Sequence, residues 1–471
     1  MIDTGLVAAT VLHLFTREWL AIAAFGIAVS SLDDLVIDTL FFGRWSWRRH
    51  FIYRRHDRAC AEDLVHADPG WMAIIVPAWD EAAVIGTMLA DLTARLDYPH
   101  YRVFVGVYPN DAATLAAVTG VGDDRIAPVV CRLPGPTTKA DCLNHLWRAL
   151  LADEIAAGRR FKGIVLHDAE DVVHALELSV YDHLLGSRLA MVQLPVVPLI
   201  DHSSRWVAGH YLDEFAELHT KDIVVRETLG AAVPSAGVAC AIDRDMLARI
   251  AALAPDGSDE PFDATCLTED YELGIKIKRL GGRGAMVRIR CRATGEIVAT
   301  REHFPATLDT ALRQKTRWLL GIALSGWDRI GWHGGLTDRF MLVRDRKAIV
   351  AALLTLAGYG AVLLVSADTT VRYIWPQLMR QAPLVAPGSL LELLLAFNVF
   401  VLGWRLLMRA LYTGYAHGPR EGVRAIPRAL IGNVINAAAA LRACRRYLRI
   451  AQGREANYWD KTAHRFPQAA E

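Results

Sequence analysis

The sequence predicts an α/β domain with a largely parallel sheet, carried between about three transmembrane helices. Short β-branched runs alternate with helical periods from residue 71 to residue 335, the pattern of a sheet whose parallel strands are joined by helical crossovers. Apolar stretches at residues 19–42, 347–366 and 389–412 are long enough to span a bilayer. Arginines cluster beside these stretches, as charged loops do on the cytoplasmic side of a membrane.

In chain order, the first span carries Asp33, Asp34 and Asp38 in its second half, where charge is costly in lipid. Either these acids lie near the headgroups or they face a polar partner or an acceptor path. Arg44, Arg48, Arg49, Arg54, Arg55 and Arg58 follow, which puts that side in the cytoplasm and the amino terminus outside. Arg344, Arg346 and Lys347 before the second span, and Arg409, Arg420, Arg424 and Arg428 after the third, satisfy the same rule with three crossings. The loop at residues 367–388 is then expected outside. Residues 429–444 are apolar but short, with arginines at both ends, and are expected to form an interfacial helix. The expected organisation is a membrane segment (1–43), a basic juxtamembrane segment (44–70), the α/β domain (71–335), two transmembrane helices (336–412), and an interfacial helix with a cytoplasmic tail (413–471). Three spans are too few to line a wide path through the membrane, so a second copy or another protein is expected to complete one.

Composition excludes several classes. Asp3 stands where a signal peptide would carry positive charge. Seven cysteines without a CxxC pair speak for thiols in a reducing compartment, not for a disulfide framework or a zinc site. A net charge of +1, with basic residues gathered at membrane edges, argues against a nucleic-acid partner.

Within the domain, runs at residues 72–76, 103–107, 126–131 and 164–166 are expected strands, and ligands of such sheets bind at the carboxyl ends of strands. The candidate residues gather there. Val76-Pro77-Ala78-Trp79-Asp80-Glu81 closes the first strand, and Tyr108-Pro109-Asn110-Asp111 the second. Residues 135–144, with Lys139, open a helix after a proline turn. His167-Asp168-Ala169-Glu170-Asp171 ends the fourth strand, and its carboxylates are hard oxygen ligands suited to a divalent cation carrying a diphosphate, or else a solvated acidic turn. Pro234-Ser235-Ala236-Gly237 precedes an apolar run at residues 238–242, either as a tight turn or as a loop that admits a ligand close to the backbone. Thr268-Glu269-Asp270 opens an amphipathic stretch, where Thr268 can equally be an N-cap and the acids complements to a helix dipole. Gln314, Arg317 and Trp318 lie at i, i+3 and i+4, so a helix presents them on one face, to a common ligand or to solvent. Trp459-Asp460-Lys461-Thr462-Ala463-His464 lies near the end of the chain, with a tryptophan suited to a membrane interface. Neither a Walker A loop nor GxGxxG occurs, so phosphates must be held by metal and side chains.

TED at 268–270 and QxxRW at 314–318 resemble the signature motifs of inverting, processive family-2 glycosyltransferases. The stretches 193–196, 211–215, 233–237 and 459–467 resemble, more narrowly, inner-membrane glycosyltransferases of the NfrB type, and that likeness runs from Trp19 onward. The resemblance implies a GT-A, Rossmann-like cytoplasmic domain. It implies Asp270, beside Glu269, as catalytic base, and Asp168 with Glu170 as ligands of Mg or Mn. Glu170 stands where the family has a second Asp, which leaves open whether Glu170 or Asp171 takes part. Asp80, Glu81, Asp111, Lys139, Gln314, Arg317 and Trp318 would bind the nucleotide sugar, although Asn110 departs from the paired acids of cellulose-synthase-like members. Ser235, Gly237 and Trp318 would meet the acceptor. The implied reaction is inverting transfer from a UDP-sugar to a growing exopolysaccharide, with N-acetylmannosamine as the sugar that such proteins are linked to and an outer-membrane partner for export. Longer members carry a C-terminal cyclic-di-GMP-binding domain; the sequence to Glu471 shows neither that nor PilZ-type motifs, so such regulation is expected through another protein. Two other readings stand beside it: a single-addition transferase acting on a lipid phosphate, against which QxxRW counts, and a non-catalytic membrane scaffold or phage-receptor assembly factor.

Overall fold

The computed structural model describes residues 4–186, 189–375, 382–455 and 465–467. The Trp459–His464 stretch therefore lies outside the described residues. Helix α1 (Thr4–Trp47) leads to a domain that opens as β1 (Trp71–Pro77), α2 (Ile85–Arg95), β2 (Tyr101–Val107), α3 (Ala112–Thr119), β3 (Ile126–Val130), α4 (Lys139–Ala157) and β4 (Phe161–Leu166). It continues through α5 (Glu177–Leu184), β5 (Met191–Gln193), β6 (Val196–Pro198), α6 (Gly209–Glu217), α7 (Ile223–Thr228), β7 (Cys240–Asp243) and α8 (Arg244–Ala252). After α9 (Glu269–Arg279), β8 (Gly284–Met286), β9 (Thr300–Glu302), α10 (Leu308–Leu319) and α11 (Gly326–Ile330) come three long helices, α12 (Leu336–Ile374), α13 (Leu390–His417) and α14 (Pro419–Ala451).

The four expected strands form, each within a few residues of the apolar run that announced it. Seven strands make one sheet in the order β3-β2-β1-β4-β7-β5-β8, and β6 pairs with β9 beside it. All neighbours are parallel except β7, which runs antiparallel to both β4 and β5. That reversal has a consequence for the site. The amino-terminal end of β7 lies at the carboxyl ends of β4 and β5, so the loop before Cys240 joins the same rim as the loop after Leu166. The core lies on both faces of the sheet: Met72, Ile74 and Val76 pack one way, Ala73 and Ile75 the other, and all are buried. Strands buried on both faces read as unbroken apolar runs, which is why β1 and β4 were visible without alternation.

Three helices, α1, α12 and α13, are long and apolar enough to cross a membrane. Each exceeds its expected span. α12 runs on to Ile374, so the first eight residues of the expected outer loop are helical. The acids of α1 meet partners from other elements. Asp33 and Asp34 pair with Arg344 and Lys347 of α12, and Asp38 with Lys221 of the domain while accepting from Trp404 Nε1 of α13 at 2.7 Å. Asn398 likewise donates to the Ala24 carbonyl at 2.9 Å and ties α13 to α1.

The helix expected at 429–444 extends to Pro419–Ala451, and its buried positions follow 421, 425, 428, 432, 435, 439 and 443, one stripe of mostly small residues. On that stripe Arg428 is fully buried. It makes a two-pronged contact to Asp213 of α6, at 2.7 and 3.0 Å, and a third to Glu421 at 2.6 Å. Gly209 makes room, since a Cβ there would meet the Arg428 side chain. Removing one partner from a buried ionic group leaves the others uncompensated. Arg428→Ala is accordingly expected to cost about 3–5 kcal/mol, seen as a clear drop in the unfolding midpoint of the protein in detergent; an unchanged midpoint would show that the helix does not depend on this contact.

Candidate active site

A pocket of about 100 Å³ opens at the carboxyl ends of the strands. Nine of the residues expected from the sequence line it: Glu81, Lys139, Asp168, Glu170, Glu269, Asp270, Gln314, Arg317 and Trp318. They arrive from five places in the chain. Lys139 is the first residue of α4, whose N-cap Thr138 accepts from Asp141 N at 3.1 Å. Its ammonium meets Asp168 Oδ1, beyond the end of β4, at 2.6 Å. Burial would lower the Lys139 pKa, but the surrounding Asp168, Glu269 and Asp270 outweigh it and hold it raised.

The turn after β4 sorts its acids by direction. His167 is fully buried and bridges Asp171 Oδ2 at 2.7 Å and Glu177 Oε1 at 2.9 Å. Burial works against its charge, yet the two carboxylates push its pKa up to about 10, so it stays an imidazolium. Asp171 also accepts from Asp168 N at 3.1 Å and so braces the turn from within. Glu170, not Asp171, lines the pocket with Asp168. Among the described residues no group of three or more His, Cys, Asp or Glu is placed to hold a metal ion unaided. Asp168 and Glu170 offer hard oxygens from one wall, a donor set that fits a divalent cation whose remaining ligands are phosphate oxygens and water.

Opposite stands the start of α9. Thr268 occupies its N-cap position but makes no capping hydrogen bond through its side chain, and lines the pocket instead. Glu269 and Asp270 follow in the first turn. Burial and the neighbouring Asp270 push the Glu269 carboxyl up to about 7. Asp270 is also raised by burial, with Lys139 and Arg317 opposing. Asp270 Oδ1 accepts from Tyr271 N at 2.7 Å. Its other oxygen lies against Gly237, where a Cβ would come within 2.6 Å of Oδ2 and where φ is +80°. Gly237 thus makes room for the carboxylate. The loop's inward groups are Ala236 and Val238, whereas Ser235 is buried, its Oγ accepting from Gly237 N at 3.1 Å. Ser235 and Gly237 therefore shape this wall from behind.

Asp80 and Asp111 also stand outside the wall. Asp111 Oδ2 accepts from Asp80 N at 2.6 Å, and Oδ1 from Thr114 N at 3.2 Å as the N-cap of α3. The two acids fix the loop after β1. On α10, Gln314, Arg317 and Trp318 do share one face and turn it to the pocket. Among the described residues no carboxylate lies within ion-pair reach of Arg317, and Gln314 Oε1 is buried without a hydrogen-bond partner. Trp318 packs edge-on to Tyr211, with the Lys315 ammonium 5.2 Å from its ring and itself paired with Glu214 of α6. Sequence reasoning did not single out Val196, Glu302 or Phe304 as pocket residues. Three-residue strands brought together across a hundred residues leave no local signal.

A family model, glycosyltransferase like family 2, matches residues 69–321. The chain is a family-2 glycosyltransferase. This glycosyltransferase is 35% identical over 457 residues to bacteriophage adsorption protein B of Escherichia coli strain K12, and equally to bacteriophage N4 adsorption protein B of strain O157:H7. The match covers 93% of this chain and 60% of each relative, so the chain spans about three fifths of their length. Among solved structures, a mannosyltransferase from Pyrobaculum calidifontis, in complex with GDP-mannose and Mn2+, superposes with a TM-score of 0.51 at 16% identity, covering 89% of this chain and 99% of that one. At that identity the likeness speaks for the fold.

The raised Glu269 carboxyl sets a pH dependence. The folded group keeps its proton to about pH 7, while an unfolded one loses it near 4.5, so the folded state binds more protons in that window. Its contribution to stability is therefore greatest below 4.5 and falls as pH rises to 7. Glu269→Gln should flatten this slope in metal-free buffer, measured as unfolding midpoint against pH; an identical slope in the variant would place the titration elsewhere.

Proposed function

We propose that this glycosyltransferase catalyses inverting transfer of a sugar from a UDP-sugar to a hydroxyl of a growing exopolysaccharide at the cytoplasmic face of an inner membrane. N-acetylmannosamine is the sugar proposed, as the resemblance of the sequence motifs implies. The observation that carries the reading is the charge of the pocket. Six carboxylates line it against one lysine and one arginine, so a nucleotide diphosphate could not enter without a cation. The mannosyltransferase noted above holds a nucleotide sugar together with Mn2+. In this chain Asp168 and Glu170 would hold Mg or Mn, which when bound would neutralise charge on the departing diphosphate. Lys139 would release Asp168 and turn to the phosphates, and Arg317, without a carboxylate of its own, would fork onto their oxygens.

Asp270 would act on the other reactant. The acceptor hydroxyl attacks the anomeric carbon as the bond from that carbon to the diphosphate oxygen breaks, and Asp270 takes the hydroxyl proton. Raised by burial, its carboxyl is a stronger base than an exposed one. Glu269, pushed up to about 7 and so partly protonated near neutral pH in the ligand-free pocket, would leave Asp270 the charged member of the pair. Trp318 would stack beneath the acceptor sugar, between Gln314 and the Ala236–Val238 wall. Asp80 and Asp111, joined through the loop after β1, would shape the seat of the base. The Arg clusters favour a cytoplasmic domain with α1, α12 and α13 crossing the membrane and α14 lying along it. A second copy or an export partner would complete any path for polymer.

Asp270→Asn is expected to keep metal-dependent UDP binding while turnover of purified protein falls on the order of 10²-fold or more. Transfer within a few-fold of the unaltered protein would remove Asp270 from the mechanism. Asp168→Ala should abolish the manganese dependence of UDP affinity, read by calorimetry. An affinity indifferent to both manganese and this substitution would move the metal elsewhere.

A further inference from the structure

A second cavity, of about 620 Å³, lies between the domain and the end of α13. Its walls come from residues 195–202, 215–220, 288–303 and 415–417, and it shares Val196 and Phe215 with the active-site pocket. The two have opposite charge. Three arginines and four histidines line the second cavity, and Glu296 is its one carboxylate.

Arg288 is the informative member. It is partly buried, its one hydrogen bond goes to the His219 carbonyl at 3.0 Å, and among the described residues no carboxylate lies within ion-pair distance of it. Its charged neighbour is Arg290, which with burial pulls the Arg288 pKa down. Arg290 donates to the Gly295 carbonyl and to Tyr415 Oη, at 2.7 and 2.9 Å, again without a carboxylate. A half-buried guanidinium beside a second one, neither paired with a carboxylate, favours an anion that joins them. A third group points the same way. His219 is 2% exposed, and its Nδ1 accepts from Val196 N at 2.9 Å, which leaves the proton on Nε2. Burial and Arg288 hold its pKa down to about 3, so the ring is neutral and offers the cavity it lines a single N–H donor.

We propose that this cavity binds a phosphate group, a monoester or diphosphate, through Arg288, Arg290 and His219. Forked guanidiniums and an imidazole N–H suit phosphate oxygens, and the space exceeds one phosphate, leaving room for what the phosphate is attached to. The group would enter past Tyr415 and His417, at the end of a helix apolar enough to cross the membrane. In the reading of the preceding section, on which this last step rests, the phosphate is that of a lipid anchor holding the acceptor, with its glycan passing Phe215 towards Asp270.

Binding is to be measured in EDTA, without donor, on the full chain in nanodiscs of neutral lipid. One arm titrates inorganic phosphate, the other incorporates a polyisoprenyl monophosphate. Saturable binding in the lipid arm, weakened about tenfold or more by Arg288→Gln and by Arg290→Gln, is the result expected. Equal dependence in the inorganic arm alone would keep the phosphate site and overturn the lipid anchor. No saturable binding in either arm, or binding indifferent to both substitutions, would overturn the proposal. Manganese-dependent UDP affinity, measured on the same variants, reports whether they fold and is expected to be unchanged. Should UDP fail to bind the unaltered protein while phosphate binds as described, the catalytic reading falls and this site stands.

Discussion

Helix α6 carries the acids on which the arrangement of the molecule depends. Asp213 takes Arg428 of α14, accepts from Thr413 of α13 at 3.1 Å, and lies 3.4 Å from Arg409. Glu214 takes Lys315 of α10, and Glu217 takes Lys221 and, at 3.0 Å, Arg405 of α13. Within five residues one short helix is tied to the last two long helices and to the helix that bears QxxRW. Its Phe215 meanwhile forms wall in both cavities. Charges buried this way are weak sources of net stability but strong constraints on geometry, since any other docking would leave them unpaired. The position of Arg317 and Trp318 over the pocket is thus decided partly at the junction with the membrane helices.

The same logic explains the glycines at the catalytic rim. α9 approaches the loop before β7 closely enough that Gly237 has no space for a side chain beside Asp270, and Gly274, one turn further along the helix, lies on the backbone of Val233 and Pro234. Two small residues let a helix start and a strand start meet with a carboxylate between them. The buried imidazolium of His167 does comparable work under β4, holding Asp171 inward so that Asp168 and Glu170 remain in the pocket wall.

Charge is divided sharply across the Val196–Phe215 partition. On one side carboxylates dominate, with proton retention at Glu269 lowering their charge; on the other, three arginines and four histidines face one carboxylate. Fields of opposite sign on either side of that wall can orient a ligand that is cationic or metal-bound at one end and anionic at the other.

Much of this was legible in the amino-acid order. Apolar run length and β-branching located β1, β2 and β4, because parallel strands buried on both faces need unbroken apolar sequence. Lipid imposes an even simpler demand, which located α1, α12 and α13. The helical i, i+3, i+4 spacing of Gln314, Arg317 and Trp318 is local geometry and needed no fold to be read. What the order of residues left open was direction and partnership. Whether Glu170 or Asp171 faces the pocket depends on His167 and on Glu177 ten residues on. Whether Asp33, Asp34 and Asp38 meet headgroups or partners depends on cations about 180 and 310 residues away. The basic cavity draws on four segments that span more than two hundred residues, none of them distinctive alone. Periodicity is a property of neighbours along the chain, whereas the pairing of a buried charge is a property of neighbours in space, and only the folded chain chooses those.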